Sequence, residues 1–220
     1  MSNSSLISYT NISPNKNSPR TAKIDTITIH CMAGQMTAKN CADMFSKSSA
    51  QCSANYCIGY DGKISMSVEE KDRSWCSSNS ANDHRAITIE VASDSTAPYT
   101  VKDAAYQSLI KLVVDICKRN NITKLVWSTN KSDRINHKNG CNMTVHCDYA
   151  NKACPGEYLL KKMPEIAKTV NAQLTTTKKL YKVSVIAKQV GAFSSKENAE
   201  NYKKELEALG CTVKITESSA

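Results

Sequence analysis

Two short β-branched runs constrain this chain most: IDTITI from Ile24 and RAITIEVA from Arg85. Residues branched at Cβ suit extended backbone and a packed sheet surface, so both runs read as strands. The first ends at His30, and the second carries Glu90. Each strand therefore brings a chemically competent side chain to its end.

Other segments fill in around them. Residues 1 to about 22 read as an extended, Asn/Ser-rich lead-in. TAKNCADMFSK, from Thr37, reads as a short helix, and NYCIGYDGKISMSV as a hairpin turning at Asp61-Gly62. A longer helix begins near Thr100, where Thr100 and Asp103 have capping-box spacing. It places Ala105, Leu109, Leu112, Val113 and Ile116 on one face and stops near Asn120. LVWS then reads as a short strand, and residues 129–145 as a polar loop. Pro155 suits the first turn of a helix through Tyr158 and Leu160, with another short helix after Pro164. LTTTKK, Leu174 to Lys179, reads as a linker. Beyond it, LYKVSVIA, a helix capped by Ser194 and Glu197, and TVKIT make one βαβ unit that stops its helix at Gly210. About 40 residues is below the size that usually folds alone.

The loop delivers the stretch VHCDYANKACPGEYL. It sets His146 and Cys154 eight positions apart, with Lys152 two before the thiol and Pro155 after it. Imidazole nitrogen and thiolate sulfur are zinc donors, and a catalytic zinc usually has three protein ligands. His30 is the obvious third. A lysine beside such a site can stabilise charge developing on a substrate oxygen. A rival reading makes Cys154 a nucleophile paired with His146. Asp148 is a candidate for orienting His146, with a helix-capping role as the plainer alternative; His84 and His137 lie in polar stretches and read as exposed.

The formal charge of +9 favours polyanionic partners, either nucleic acid or the anionic polymers of a bacterial wall. The lysines are dispersed, and no basic helix or interleaved aromatic strip speaks for nucleic acid. No run approaches the roughly 20 apolar residues of a membrane span. The polar N-terminus has no signal-peptide core. The ten cysteines are scattered through a chain with a real core, so most read as small buried hydrophobes in a reducing interior.

In ITIHCMAG, SANYCIGYDGKI, HRAITIEVAS and VHCDYANKACPG, taken in that order over roughly residues 20–172, the chain resembles the type 2 N-acetylmuramoyl-L-alanine amidases. These share a fold with phage amidase-type lysozymes and peptidoglycan recognition proteins. The resemblance implies an α/β fold with a central mixed β-sheet flanked by helices, and one Zn2+ in a surface groove. It makes His30, His146 and Cys154 the metal ligands and Glu90 and Lys152 the catalytic groups. It places Trp75, in RSWCSS, beside the substrate groove. Some relatives carry Tyr-His where this chain has Ala54-Asn55, which shifts base catalysis to Glu90 and leaves Asn55 as a substrate-holding amide. The implied reaction is cleavage of the bond between N-acetylmuramic acid and L-alanine in Gram-positive peptidoglycan.

Residues 180–220 resemble half of a SPOR domain through LYKVSV and VGAFSSKENAENYKKELEALG. The implied organisation is a catalytic domain over 1–173, a linker over 174–179 and a wall-binding or dimerising unit over 180–220. A wall-cutting enzyme with no signal peptide looks like a phage endolysin, held in the host cytoplasm until a holin opens the membrane. A bacterial autolysin, or a peptidoglycan-binding protein without catalysis, are the alternatives.

Overall fold

The protein is described by a computed structural model covering residues 2–175, 179–185 and 188–219. The chain divides into two compact units, Met1–Leu174 and Thr175–Ala220. The first is built on a six-stranded mixed sheet. Its strands are β1 (Tyr9–Thr10), β3 (Thr26–Cys31), β4 (Tyr56–Ile58), β5 (Ile64–Met66), β7 (Ala86–Val91) and β8 (Met143–Val145), in the order β1-β5-β4-β7-β3-β8. A separate pair, β2 (Lys16–Asn17) and β6 (Arg73–Ser74), runs antiparallel at the side.

Strand β3 lies between β7 and β8 and is parallel to both. All six of its residues are buried. The two-residue period then sorts its side chains onto two faces. Ile27 and Ile29 share one face with Ile87 and Ile89 of β7, and all four are fully buried in the main core. Helices α3 (Asp103–Arg119) and α5 (Gly156–Leu174) complete that core, with Leu109, Leu112, Val113 and Ile116 of α3 fully buried. The opposite face is polar. Thr28 and Thr144 pair through their hydroxyls at 2.7 Å, and Asn82 donates to Thr28 at 3.0 Å. On that face, α1 (Ala38–Phe45) packs against β4 and β5, and α2 (Ser80–Arg85) against β7.

The hairpin turns where expected. β4 and β5 are antiparallel with Ile58 opposite Ile64, and Gly62 sits at φ +80°. A Cβ on Gly62 would lie 2.8 Å from the Ala104 carbonyl oxygen, so glycine is required there twice over. Thr37 caps α1 by accepting from Asn40 N. Four local expectations are corrected. Helix α3 begins after Lys102 without a side-chain cap, so Thr100 is not its capping residue. Residues 125–128 form no strand; the sheet's sixth strand is β8, inside the segment expected to be a polar loop. That segment also holds α4 (Lys131–Ile135). Finally, α5 runs unbroken through Pro164. Proline costs the helix its bond to the Leu160 carbonyl, and Leu160 lies on the exposed side, where water can replace it.

In the second unit, β9 (Lys179–Val185) pairs antiparallel with β10 (Lys188–Phe193) on one side and β11 (Val213–Ser219) on the other. Helix α6 (Lys196–Ala208) contributes Ala199 to a small core with Val213, against which Phe193, Tyr202 and Leu206 pack. The order is thus ββαβ: β10 is a strand the sequence reading left out. The helix cap is Ser195, which accepts from Asn198 N, and not Ser194. Residues 176–178 of the expected linker, and 186–187 of the expected strand LYKVSVIA, lie outside the described residues.

Candidate active site

The polar face of the sheet carries two rows. The lower row is Asn55, Thr88, Thr28 and Thr144; one pleat further along each strand come Cys57, Glu90, His30 and, just past β8, His146. Register fixes this: Cys57 is opposite Glu90, and Glu90 is opposite His30. The upper row lies at the carboxyl ends of parallel strands, where open α/β sheets present their sites.

The structure brings His30, His146 and Cys154 together, with one donor atom from each within 4.8 Å of the others. His30 is fully buried, and its Nδ1 is 3.4 Å from Cys154 Sγ. The two imidazoles lie with centroids 5.0 Å apart, tilted by 60°. Cys31 N donates to Cys154 Sγ at 3.3 Å. Glu90 Oε1 is 3.9 Å from His30 Nδ1. Burial and then the neighbouring His146 push the His30 pKa down to about 3, so its imidazole is neutral and keeps its lone pair. Burial and then the Lys152 ammonium lower His146 as well, which puts Lys152 electrostatically within reach of the cluster. The Lys152 side chain is itself exposed. Burial, and then the thiols of Cys57 and Cys31, push the Glu90 carboxyl well above the usual carboxylate range.

A zinc ion fits this donor set. Zn–N near 2.0 Å and Zn–S near 2.3 Å at a tetrahedral angle place N and S roughly 3.5 Å apart. The observed Nδ1 to Sγ distance is 3.4 Å. Both imidazoles are neutral, as ligation needs. Glu90 Oε2 is buried without a hydrogen-bond partner, which is costly unless something else satisfies it. The sulfur's hydrogen-bond contact is with the buried His30 ring, whereas the rival nucleophile reading pairs it with His146.

The turn carrying His146 is braced from behind. Asp148 accepts from Val145 N at 3.1 Å and takes a two-pronged pair from Arg134, whose Nη2 lies 2.6 Å from Oδ1. Arg134 also stacks on Trp127 at 4.4 Å. Asp148 therefore acts on the backbone of the turn and not on the imidazole. His84 and His137 stand apart: Thr21 N donates to His84 Nδ1 at 3.1 Å, and His137 Nδ1 is 2.9 Å from the Cys141 carbonyl.

Asn55 is placed otherwise than expected. It is fully buried in the lower row. Its Nδ2 donates to the carbonyls of Val68 and Glu69, and its Oδ1 accepts from Thr88 N at 3.1 Å. That amide ties β4 to β7 and the following loop, with no face turned to a groove. Trp75 is half-buried, and its indole donates to Asn17 at 2.7 Å, anchoring the edge pair of strands.

Sequence reasoning passed over Cys76 and Ser78. Cys76 Sγ lies 3.9 Å from Glu90 Oε1, and Ser78 Oγ lies 3.1 Å from His146 Nε2. Buried Asp83 holds their loop, accepting from Cys76 N at 3.0 Å and from Ser77 Oγ at 2.6 Å. Asn79 caps α2 just beyond. The only sequence signal was the serine- and asparagine-rich run before that helix.

A family model described as N-acetylmuramoyl-L-alanine amidase matches residues 20–157. Among solved structures, the chain is similar to PlyL, with TM-score 0.56 and 16% identity over 74% of this chain and 96% of that one. It is similar to AmpD, with TM-score 0.53 and 18% identity, over 79% and 96%. It is similar to the endolysin N-acetylmuramoyl-L-alanine amidase LysCS from Clostridium intestinale, with TM-score 0.53 and 18% identity, over 75% and 99%. At these identities the structural likeness speaks for the fold. No curated protein sequence matches the chain.

Proposed function

The chain belongs to the N-acetylmuramoyl-L-alanine amidase family, and from that premise we propose that it hydrolyses the amide between the lactyl group of N-acetylmuramic acid and L-alanine in a zinc-dependent reaction. The observation that carries this reading is the His30–His146–Cys154 donor set beside the Glu90 carboxyl. His30, His146 and Cys154 hold the ion. When bound, zinc supplies Lewis acidity and makes water a competent nucleophile near neutral pH.

The protein's own groups do the rest. Glu90 takes a proton from the attacking water and returns it to the leaving nitrogen as the C–N bond breaks. Water oxygen ends in the new lactyl carboxyl, and L-alanine leaves as a free amine. Lys152 faces the developing oxyanion, a contribution of about 3 kcal/mol if it matches a single oxyanion donor. Ser78 Oγ holds the His146 ring, and the Asp148–Arg134 brace holds the turn that carries it.

We read the protein as a phage endolysin acting on Gram-positive peptidoglycan, stored in the host cytoplasm until a holin admits it to the wall. Its similarity to an endolysin supports this role. Residues 180–220 we read as a SPOR-like unit that holds the wall or pairs with a second copy. Retention on purified sacculi, and light scattering at high protein concentration, distinguish those two uses.

Digestion of purified peptidoglycan tests the reaction. New free amines should appear without new reducing ends, vanish with a chelator and return with zinc. Reducing sugars would instead mean glycosidase activity, and chelator-resistant amine release would restore Cys154 as a nucleophile.

A further inference from the structure

His30 belongs to two donor sets. Besides the set with His146 and Cys154, ligand atoms of His30, Cys76 and Glu90 fall within 4.8 Å of one another. His30 Nδ1 is 3.4 Å from Cys154 Sγ on one side and 3.9 Å from Glu90 Oε1 on the other. Cys76 Sγ lies 3.9 Å from that same carboxylate oxygen. Imidazole, thiolate and carboxylate are all ordinary zinc ligands. Gathering the second set around one ion needs the His30–Glu90 and Glu90–Cys76 pairs to close by roughly 0.5 Å. Glu90 Oε2 is also buried with no partner, so the carboxylate has unused capacity aimed into the protein. Asp83 grips the Cys76 backbone, which keeps the thiol at this position.

We propose a second metal position, formed by His30, Cys76 and Glu90, that competes with the first for the same ion. A single imidazole nitrogen faces both, so the positions are alternatives and not a pair. An ion in the second position engages the Glu90 carboxylate, and the group that handles the proton is withdrawn from the reaction. Cys76 thereby gives the enzyme a self-blocked metal-bound form. The inference rests on the zinc reading of the first set.

Titration of the full-length protein with Co2+ tests it, read by metal stoichiometry and by the thiolate-to-cobalt charge-transfer band. Wild type should bind one equivalent and show the band. Cys154→Ala should still bind one equivalent and keep a band, now through Cys76. Cys154→Ala/Cys76→Ser should lose the band and bind at least about tenfold more weakly, since losing a direct ligand costs no less than losing an outer-shell partner. Should Cys154→Ala fail to fold by circular dichroism, Cys154→Ser preserves the volume and repeats the comparison. A folded Cys154 variant with no band overturns the second position while leaving the first intact. A band that survives in the double variant assigns it to another thiol and also overturns it. Wild type that takes up no cobalt sinks both positions together.

Discussion

At the scale of single residues, the proposed ligands can be told apart from the groups proposed to act on substrate. His146→Ala and Cys154→Ala each remove a donor from the three-residue set. Both should lose amide hydrolysis, while metal analysis of the same preparations should find an ion still held by His30, Cys76 and Glu90. Lys152 is exposed and outside the donor set, so Lys152→Ala should keep its zinc. Its kcat should fall roughly 100-fold, the cost of one oxyanion donor. Equal loss of metal and rate in that variant would mean a structural role. Behind the ligands, Asp148→Ala leaves the Arg134 guanidinium buried and unpaired. Breaking such a pair costs about 3–5 kcal/mol, which denaturant unfolding of the purified variant will show.

At the scale of elements, legibility followed locality. Strand β3 and strand β7 are self-announcing because β-branched residues dominate them, and α1 because Thr37 caps it and its apolar residues recur on one face. His30 and Glu90 came with their strands. Strand β8 is three residues long, and it exists because Ile27, Thr28 and Ile29 offer it an edge. Nothing within MTV encodes that partner. Pro164 looked like a break, yet tertiary burial of Leu159, Met163 and Ile166 holds α5 together through it. Cys76 and Ser78 are active-site neighbours only because Asp83 folds their loop back, a contact local spacing does not advertise. For Asn55, family likeness suggested a substrate contact, whereas its row on the sheet decided for burial. The same packing sets the price of disruption: Leu112→Ala, at a fully buried position of α3, should destabilise by about 2–5 kcal/mol, measured as a lowered denaturant midpoint.

At the scale of the whole molecule, two compact units imply two melting processes. All proposed ligands lie in the first unit, so zinc at about 1,000 times its Kd should stabilise that unit by about 4 kcal/mol. Calorimetry should show the transition of residues 1–174 moving with zinc while that of 175–220 stays. If both move equally, the units unfold as one. The donor set also has a temporal meaning. His30 and Cys154 are 124 positions apart in the chain, and their contact requires β3 and the turn before α5 to come together. Closing so long a loop is opposed by chain entropy until other packing offsets it. A ribosome-bound chain that has emerged only as far as α3 already carries His30, Cys76 and Glu90 but not His146 or Cys154, so the only one of the two positions it can offer an ion is the self-blocked one. A metal in the working position is then a mark of a finished molecule, and a chain that stalls short of maturity carries no armed site.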